Sequence, residues 1–338
     1  MDYSLKKNIA LMAGGFSGER DISIQSARTI ASHLDPERYE VYSIEVNPQN
    51  WLYHDSGSFV SVDKTDFSLI LNGRKIRFDA AFIAIHGTPG EDGKLQGYFD
   101  MLDIPYNTCG AIASALTFNK WFCNQVVRTL NEVQVSNGVH VVQGHVPDLD
   151  KLASLLVFPV FVKPNEGGSS IGMSKVGDRA GLAEALQKAF REDNQVLIEE
   201  YVKGREFTCG VFEHHGRLQV LPITEIRSSK DFFDYEAKYT PGKSLELTPA
   251  PIPDVLADRI GDTSRKIFRA LNCRGLVRID FIYSEQNDRL YFLEVNTMPG
   301  QSENSIVPQQ VRAAGLTLDT FYGWLLEDTL ERAAQRGK

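Results

Sequence analysis

The feature that most constrains this fold is a pair of apolar strands near the end of the chain, joined by a short polar turn. The segments "LVRIDFIY" (276–283) and "RLYFLEVN" (289–296) are rich in β-branched and aromatic residues, which fit a pleated sheet. The stretch "SEQND" separates them, so the sequence predicts a β-hairpin. Such a hairpin fixes which side chains of the two strands lie side by side.

Four polar residues of this hairpin are predicted to share one face. Arg278 and Asp280 are two positions apart, as are Glu294 and Asn296, and alternate residues of a strand project to the same side. If the turn centres on Asn287, Asp280 lies directly opposite Glu294, with their Cβ atoms about 5 Å apart. Two carboxylates so placed repel each other, and the pKa of one rises unless a cation lies between them.

The two carboxylates and the carbonyl of Asn296 form an all-oxygen set of the kind that Mg²⁺ prefers. The alternative is the solvent-facing side of an ordinary hairpin, which each residue satisfies when it is taken alone. Because the remaining positions of both strands are strongly apolar, the four polar residues together favour the metal. A magnesium ion held in this way indicates a nucleotide.

Composition and charge exclude several classes of protein. A net charge of −8 over 338 residues argues against non-specific binding of nucleic acid. No apolar run approaches the ~18 residues that span a membrane, and the N-terminal segment predicts a first strand rather than a signal peptide. The four cysteines lie too far apart for a typical metal site and are expected to be buried free thiols in a reducing cytosol: Cys109, Cys123, Cys209 and Cys273.

The chain changes its pattern along its length. Residues 1–118 alternate strand and helix patterns, which predicts an α/β domain with a doubly wound parallel sheet. Within it, "DISIQSARTIASHL" places Ala27 and Ile30 on one apolar helical stripe, and "DAAFIAI" (79–85) is a fully apolar strand. From residue 157 onward, closely spaced strands with Gly-rich turns indicate an antiparallel α+β unit.

Two loops have compositions that point to function. "FVKPNEGGSSIGMSKV" (161–176) follows an apolar strand and combines glycines and hydroxyl groups with Lys163, which suits a phosphate. It is not a P-loop, and a plain hairpin loop is the alternative. "RSSKDFFDYEAKYTPGKS" (227–244) is too long for a mere connector and predicts a functional lid.

Seven separated segments resemble one known family. "VKPNEGGSSIG", "LIEEYVKGREFT", "VRIDF" and "FLEVNTMPGQSENS" follow in the order typical of the ATP-grasp ligases. With "GGFSGERDIS", "AIHGTPGEDGKLQG" and "DYEAKYT" added, nearly the whole chain is similar to the D-alanine–D-alanine ligases within that group. The resemblance implies an N-terminal domain (1–118) and two α+β ATP-grasp subdomains (119–213 and 214–338). It also implies an enzyme that makes D-alanyl-D-alanine from D-alanine and ATP, through a D-alanyl phosphate, for peptidoglycan synthesis.

The resemblance further implies where nucleotide and metal bind. ATP would lie between the two subdomains, with "EEYV" (199–202) as the hinge at the adenine. Two Mg²⁺ ions, which Mn²⁺ can replace, are expected on the hairpin. The expected ATP contacts are Lys120, Lys163, Ser170, Glu199, Val202 and Glu206, and the expected metal ligands are Asp280, Glu294 and Asn296.

By the same resemblance, the chemistry falls to residues from distant parts of the chain. Glu19 is expected to bind the ammonium group of the first D-alanine, and Ser305 with the backbone of Ile306 the carboxylate of the second. An oxyanion would be stabilised by Arg278 and by the N–H of Gly300. The expected catalytic residues are Glu19, Ser169, Tyr239, Lys238, Arg278, Gly300 and His86, of which the last would orient substrate or move protons.

The lid sequence bears on the second substrate. Tyr239 in "DYEAKYT" is expected to form hydrogen bonds with Ser169 and Glu19, as in dipeptide-forming members, whereas the ester-forming D-alanine–D-lactate ligases lack this tyrosine. Lys238 is expected to reach the transferred phosphate when the lid closes. One departure concerns Glu166, which stands one place earlier than the corresponding acid of many members and is left out of the site.

Two other functions stay open from the sequence. A regulatory ATP-binding protein would keep the glycines but could lose Arg278 or a metal ligand, and none is missing. A different carboxylate–amine ligase would keep the nucleotide residues but not "GGFSGERD" or "DYEAKYT". The resemblance implies small-molecule substrates, a homodimer and a cytoplasmic location, with no nucleic acid and no membrane as partners.

Overall fold

The computed structural model describes residues 6–55, 57–228 and 244–336. Lys238 and Tyr239, and with them nearly all of the expected lid, lie outside these ranges. No helix in the described part of the chain is both long and apolar enough to cross a membrane.

The N-terminal domain is built on a five-stranded sheet with helices against it. Its elements are β1 (Lys7–Gly14), α1 (Arg20–His33), β2 (Tyr39–Val46), β3 (Trp51–Asp55), β4 (Ser58–Ser61), β5 (Ser68–Leu71), β6 (Arg74–Arg77), β7 (Ala80–Ile83), α2 (Lys94–Met101) and α3 (Ala111–Phe118). The strand order is β4-β3-β2-β1-β7, and β5 and β6 form a separate hairpin. The predicted parallel pairing holds for β1 with β2 and β7, but β3 and β4 add an antiparallel edge. The sheet is therefore mixed, because the short link after β2 lets the chain turn straight back.

Helix α1 buries polar residues as well as its apolar stripe. Ala27 and Ile30 are buried as the periodicity predicts. Ser23 is also fully buried: its hydroxyl donates to the Ala84 carbonyl at 2.8 Å and accepts from the Gly14 N–H at 2.9 Å. These bonds tie the start of α1 to the ends of β1 and β7, where the candidate site lies.

A four-stranded antiparallel sheet forms the central part of the chain. This segment contains α4 (Lys120–Val127), β8 (Gln134–Val135), β9 (Gly138–Val142), α5 (Leu149–Ser154), β10 (Val160–Pro164), β11 (Ser174–Val176), α6 (Leu182–Ala189) and β12 (Gln195–Glu200). The sheet order is β11-β10-β12-β9, and α6 packs Leu182, Ala185 and Leu186 against it. This is the antiparallel α+β unit that the sequence predicts.

The C-terminal sheet contains the hairpin from which the fold was inferred. Its elements are β13 (Arg205–His214), β14 (Arg217–Val220), β15 (Thr224–Ser228), β16 (Ser244–Leu247), α7 (Asp254–Ala270), β17 (Leu276–Ser284), β18 (Arg289–Asn296), α8 (Ile306–Ala313) and α9 (Leu318–Arg336). The order is β16-β15-β13-β17-β18-β8, with β14 also paired to β13. Because β13 pairs with β17, the sheets favour a subdomain boundary near residue 204 over the expected one at 213.

The hairpin brings the two acids face to face, as predicted. Asp280 pairs with Glu294 across β17 and β18. The turn alone would not do this, because Ser284 pairs with Arg289 and a regular ladder would then place Asp280 opposite Leu293. A β-bulge directly after Asp280 shifts the register by one residue and restores the facing acids.

Helix α9 joins the N-terminal domain to the C-terminal sheet. On one side Tyr322 packs edge-on against Phe82 of β7, with ring centroids 6.2 Å apart. On the other side Phe321 packs edge-on against Phe212 of β13 at 5.2 Å. All four rings are buried in one apolar cluster, so the two domains share a core.

Gly275 lies at the closest approach of the two domains, and its replacement by Ala should destabilise the protein. Its φ is +64°, and a Cβ there would lie 1.9 Å from the Asn107 carbonyl oxygen. Gly315 is a matched control, since its φ is +76° but a Cβ would meet nothing within 4 Å. The left-handed backbone costs each alanine variant about 1–2 kcal/mol. Overpacking should cost Gly275→Ala a further 1–3 kcal/mol or so.

Urea unfolding of the two glycine variants measures the difference. Equal losses of stability in Gly275→Ala and Gly315→Ala would contradict the close domain contact.

Candidate active site

The first part of the site is the contact between the start of α1 and the Gly/Ser-rich loop. Ser169 donates a hydrogen bond of 2.5 Å from its hydroxyl to Glu19 Oε1. A Cβ on Gly168 would lie 2.9 Å from Glu19 Oε2, so a side chain there would push the Glu19 carboxylate out of this position. Two of the three residues expected to form a hydrogen-bonded set therefore meet, while the third, Tyr239, lies outside the described residues.

The Gly/Ser-rich loop has an unusual backbone. Ser169 and Ser170 have φ values of +53° and +58°, and Gly167 has +105°. Left-handed φ values are uncommon for serine and persist where the surroundings enforce them, often at functional sites. Lys120 contributes to that enforcement, since its ammonium group donates to the Gly167 carbonyl at 2.7 Å.

Glu166, the displaced acid, supports the start of α4. Its Oε1 accepts a 2.9 Å hydrogen bond from Asn119 Nδ2. Asn119 in turn caps α4 by accepting from the Phe122 N–H at 3.1 Å. The acid thus helps to place Lys120, the first residue of that helix.

Two expected nucleotide contacts form an ion pair with each other. Lys163 Nζ lies 2.5 Å from Glu199 Oε2, and both side chains are largely buried. The other oxygen of Glu199 accepts from Asn124 Nδ2 at 2.7 Å. A nucleotide that contacted both Lys163 and Glu199 would break this ion pair and replace it with its own contacts to the two side chains. Val202 and Glu206, expected at adenine and ribose, follow along the chain, the first between β12 and β13 and the second on β13.

Arg278 and Asp280 form a buried bidentate ion pair on β17. Arg278 Nε and Nη2 donate to the two Asp280 oxygens at 2.9 and 2.7 Å. Thr208 Oγ1 and Asn296 Nδ2 also donate to this carboxylate, at 2.5 and 3.1 Å. Burial alone would lower the pKa of Arg278, but the charge of Asp280 and these hydrogen bonds raise it well above its ordinary value. The guanidinium is therefore a permanent charge in the site.

The predicted metal ligands suit magnesium. Asp280 and Glu294 face each other on adjacent strands, and Asn296 contacts Asp280 directly. A rotation of the Asn296 amide would turn its oxygen toward the same point. Two carboxylates and an amide oxygen are the hard donors that Mg²⁺ requires.

His86 belongs to a hydrogen-bonded chain that sequence reasoning did not foresee. Its Nδ1 lies 2.8 Å from the Met298 carbonyl oxygen, which can only accept, so Nδ1 carries the proton. In the neutral ring Nε2 accepts from the Ser26 hydroxyl at 3.0 Å, and Ser26 accepts from the Gln301 N–H at 3.1 Å. The chain of bonds therefore holds the Pro299–Gly300 turn from both ends.

The charge state of His86 favours a positioning role. Burial lowers its pKa, the charge of Glu19 and the bond to Met298 oppose that shift, and Arg278 adds to it. The ring is thus neutral near pH 7, with both nitrogens engaged by protein groups. This arrangement favours orientation of the turn over proton transfer to substrate.

Glu91 is a residue that the sequence reasoning missed, although it lies in the quoted segment "AIHGTPGEDGKLQG". Its Oε1 accepts from the Met298 N–H at 3.0 Å and its Oε2 from the Gly87 N–H at 2.8 Å. Burial raises the pKa of Glu91 to about 7, although the two backbone bonds oppose the shift. No periodic pattern marks such an acid, because its partners are backbone groups, one of them 207 positions away in the sequence.

The predicted second-substrate residues adjoin the Pro299–Gly300 turn. Ser305 immediately precedes α8, and Ile306 is the first residue of that helix. The Ser305 hydroxyl lies 2.7 Å from that of Ser302, and a Cβ on Gly300 would lie 2.9 Å from Ser305 Oγ. A helix N-terminus beside a close-packed glycine suits a carboxylate.

Comparison with protein families places both parts of the chain in one family. The model described as "D-ala D-ala ligase N-terminus" matches residues 8–109. The model described as "D-ala D-ala ligase C-terminus" matches residues 139–327. Together they include most of the residues of the candidate site.

Curated relatives are similar over their whole length. The chain is 43% identical to a D-alanine–D-alanine ligase of Phocaeicola vulgatus, with 96% of this chain and 99% of the relative covered. It is 41% identical to a D-alanine–D-alanine ligase of Porphyromonas gingivalis, with 96% and 98% covered.

Solved structures share the fold. The VanG D-Ala:D-Ser ligase of Enterococcus faecalis superposes with a TM-score of 0.85 at 30% identity, covering 96% of this chain and 99% of that one. D-alanyl-alanine synthetase A of Vibrio cholerae gives 0.85 at 28%, with 96% and 98% covered. The Bacillus anthracis D-alanine–D-alanine ligase complexed with ATP gives 0.78 at 28%, with 98% and 99% covered.

The buried Glu91 should give the protein a measurable pH dependence of stability. Its pKa is about 7 when folded and about 4.5 when unfolded, so between these pH values the folded protein keeps a proton that the unfolded chain has released. Stability of the natural protein should therefore fall as pH rises from about 4.5 to 7, by an amount on the order of 3 kcal/mol. Glu91→Gln should lack this slope.

Urea unfolding at pH 5 and pH 8 tests this expectation by the difference between the natural protein and Glu91→Gln. Glu285→Gln is the control, since Glu285 is an exposed acid in the hairpin turn. If the natural protein and Glu91→Gln respond to pH in parallel, the proposed state of Glu91 is wrong.

Proposed function

This chain belongs to the D-ala D-ala ligase family, and we propose that it joins two D-alanine molecules into D-alanyl-D-alanine with consumption of ATP, for peptidoglycan synthesis. The observation that carries the proposal is the convergence of four distant segments on one place. Glu19 meets Ser169, and the Met298 backbone of the metal-hairpin segment is held by His86 and Glu91. Those segments come from both family-matched halves of the chain.

In the proposed first step, a carboxylate oxygen of the first D-alanine attacks the γ-phosphorus of ATP. A D-alanyl phosphate forms and ADP leaves. Negative charge develops on the phosphoryl oxygens, which Lys120 and Lys163 offset while Glu19 holds the substrate's ammonium group. When bound to Asp280, Glu294 and Asn296, magnesium supplies further electrostatic stabilisation of the phosphates.

In the proposed second step, the amine of the second D-alanine attacks the acyl carbon. The oxyanion that forms is stabilised by the permanent charge of Arg278 and by the Gly300 N–H, and phosphate then leaves. Ser305 and the Ile306 N–H bind the carboxylate of the second D-alanine at the start of α8. His86 and Glu91 act indirectly, since they hold the turn that presents Gly300.

The finer features of the assignment rest on the family resemblance. We propose two Mg²⁺ ions, with Mn²⁺ as a substitute, and lid closure that brings Lys238 and Tyr239 over the substrates. The solved structure of a Bacillus anthracis relative complexed with ATP supports the proposal that this chain binds ATP. A homodimer in the cytoplasm, where ATP and D-alanine are available, is part of the same proposal.

Removal of either metal-ligand charge should abolish ligase turnover, and Glu294→Gln should do so without unfolding the protein. Glu294→Gln takes one carboxylate from the facing pair. Asp280→Asn also leaves the buried guanidinium of Arg278 without its ionised partner, so it should lower stability by about 3–5 kcal/mol as well. We expect turnover to fall by more than about 100-fold at limiting magnesium, the scale of a lost transition-state contact. Glu285→Gln, an exposed acid of the same hairpin, should retain turnover. Near-normal ADP release by Asp280→Asn or Glu294→Gln would refute the metal assignment.

Product selectivity should follow the lid tyrosine. With D-alanine, D-lactate and D-serine offered together at pH 7, D-alanyl-D-alanine should predominate. Tyr239→Phe should lose a hydrogen bond worth on the order of 1.5–3 kcal/mol, which is roughly 10- to 150-fold in turnover efficiency. It should remain a peptide former, and Tyr235→Phe in the same loop is the matched control. Predominance of the D-lactate ester would refute the assignment, and predominance of D-alanyl-D-serine would place the chain with the VanG-like enzymes.

A further inference from the structure

A cluster of metal-ligating side chains lies outside the ligase site, where the β13–β14 turn packs against α9. His214 is the last residue of β13 and His215 the first of the following turn, and Asp328 and Glu331 lie about one turn apart on α9. His214 Nδ1 is 3.9 Å from Asp328 Oδ1, and His215 Nδ1 is 3.4 Å from Glu331 Oε2. Ligand atoms of the two histidines and Asp328 all lie within 4.8 Å of one another.

The backbone holds this cluster in place. His215 has a φ of +48° and Gly216 of +70°, which makes the tight turn between β13 and β14. The His215 N–H donates to Asp328 Oδ1 at 3.0 Å, and the His214 ring stacks on Trp324 with centroids 4.2 Å apart. The ligand atoms are therefore positioned before any ion binds.

Two buried atoms of the cluster have no hydrogen-bond partner among the described residues. They are His214 Nδ1 and Asp328 Oδ2. Asp328 is only 6% exposed, so its second oxygen is removed from water without compensation. A bound cation would remove this cost.

We propose that His214, His215 and Asp328 bind a divalent transition-metal ion, with Zn²⁺ preferred and Glu331 as the fourth ligand. Two imidazoles with two carboxylates suit zinc, whereas magnesium prefers oxygen ligands alone. Ligand atoms around tetrahedral zinc lie about 3.3 Å apart, so the pairs at 3.4 and 3.9 Å, in a cluster that spans up to 4.8 Å, would close around the ion by rotation of the side chains. The alternative is that no ion binds and that His214 and Asp328 remain a histidine–aspartate pair.

The ion would act as a structural tie. It would join the β13–β14 turn of the C-terminal sheet to α9, the helix that packs against both domains. The same helix carries Tyr322, whose hydroxyl donates to Gln301 Oε1 at 3.1 Å, next to the Pro299–Gly300 turn. Bound zinc should therefore stabilise the folded chain without contact with the reacting groups.

Calorimetric titration of ZnCl₂ into the intact, nucleotide-free protein with excess MgCl₂ tests the proposal. The natural protein should bind one Zn²⁺ more tightly than Asp328→Asn or His215→Asn by at least about 100-fold, because each variant lacks a ligand. Asparagine tolerates the left-handed backbone at residue 215, so His215→Asn should keep the turn. His145→Asn removes an exposed histidine elsewhere and should bind zinc normally.

Two further measurements separate this ion from the ligase site. Glu294→Gln should retain the tight Zn²⁺ even though it loses turnover, so failure of the ligase assignment would leave this result unchanged. Zn²⁺ should raise the Tm of the natural protein and not that of Asp328→Asn. The proposal is overturned if the natural protein binds no zinc tightly, if Asp328→Asn and His215→Asn bind it equally well, or if Glu294→Gln loses it.

Discussion

The backbone of Met298 is the junction on which the site depends. Its N–H donates to Glu91 and its carbonyl oxygen accepts from the Nδ1–H of His86, and both partners belong to the N-terminal domain. Met298 follows the metal strand by two residues and precedes Gly300 by two. One peptide segment therefore joins the N-terminal domain to the strand of the proposed metal ligands and to Gly300, the proposed oxyanion donor. Catalysis that depends on geometry requires such a rigid junction.

Two buried acids of the site, Asp280 and Glu91, have different surroundings. Asp280 is buried but receives hydrogen bonds from Arg278, Thr208 and Asn296, which keep a carboxylate stable without water. Glu91 is buried and accepts from two backbone N–H groups. The effect of burial on its pKa is larger than that of these hydrogen bonds, so the pKa of Glu91 rises to about 7. Both oxygens of the first acid already accept hydrogen bonds, so a metal ion bound there would displace part of this set. The second acid can hold two backbone groups without adding a full negative charge.

Sequence reasoning was right about the hairpin and incomplete about its cause. A turn centred on Asn287 was expected to place Asp280 opposite Glu294, and that facing pair is confirmed. Ser284 pairs with Arg289, however, so the turn is not centred on Asn287. The pairing depends on a bulge after Asp280, which no residue pattern in the two strands announces. The mixed edge of the N-terminal sheet escaped prediction for a similar reason, since strands β3 and β4 are short and carry few buried residues.

The sequence by itself determined the elements, the family and the residue types that converge on the site, because periodicity and motif spacing are local properties of the chain. Only the tertiary structure decided which distant groups share a hydrogen bond. His86 was named from its place at a strand tip, but its bonds to Ser26 and Met298 join residues 60 and 212 positions apart. No sequence pattern identifies Glu91 or the His214–Asp328 cluster as special. Both depend on burial that exists only once the sheets and α9 have packed together: Glu91 then binds the Met298 N–H, and His214 and Asp328 are left with buried atoms that lack a partner among the described residues.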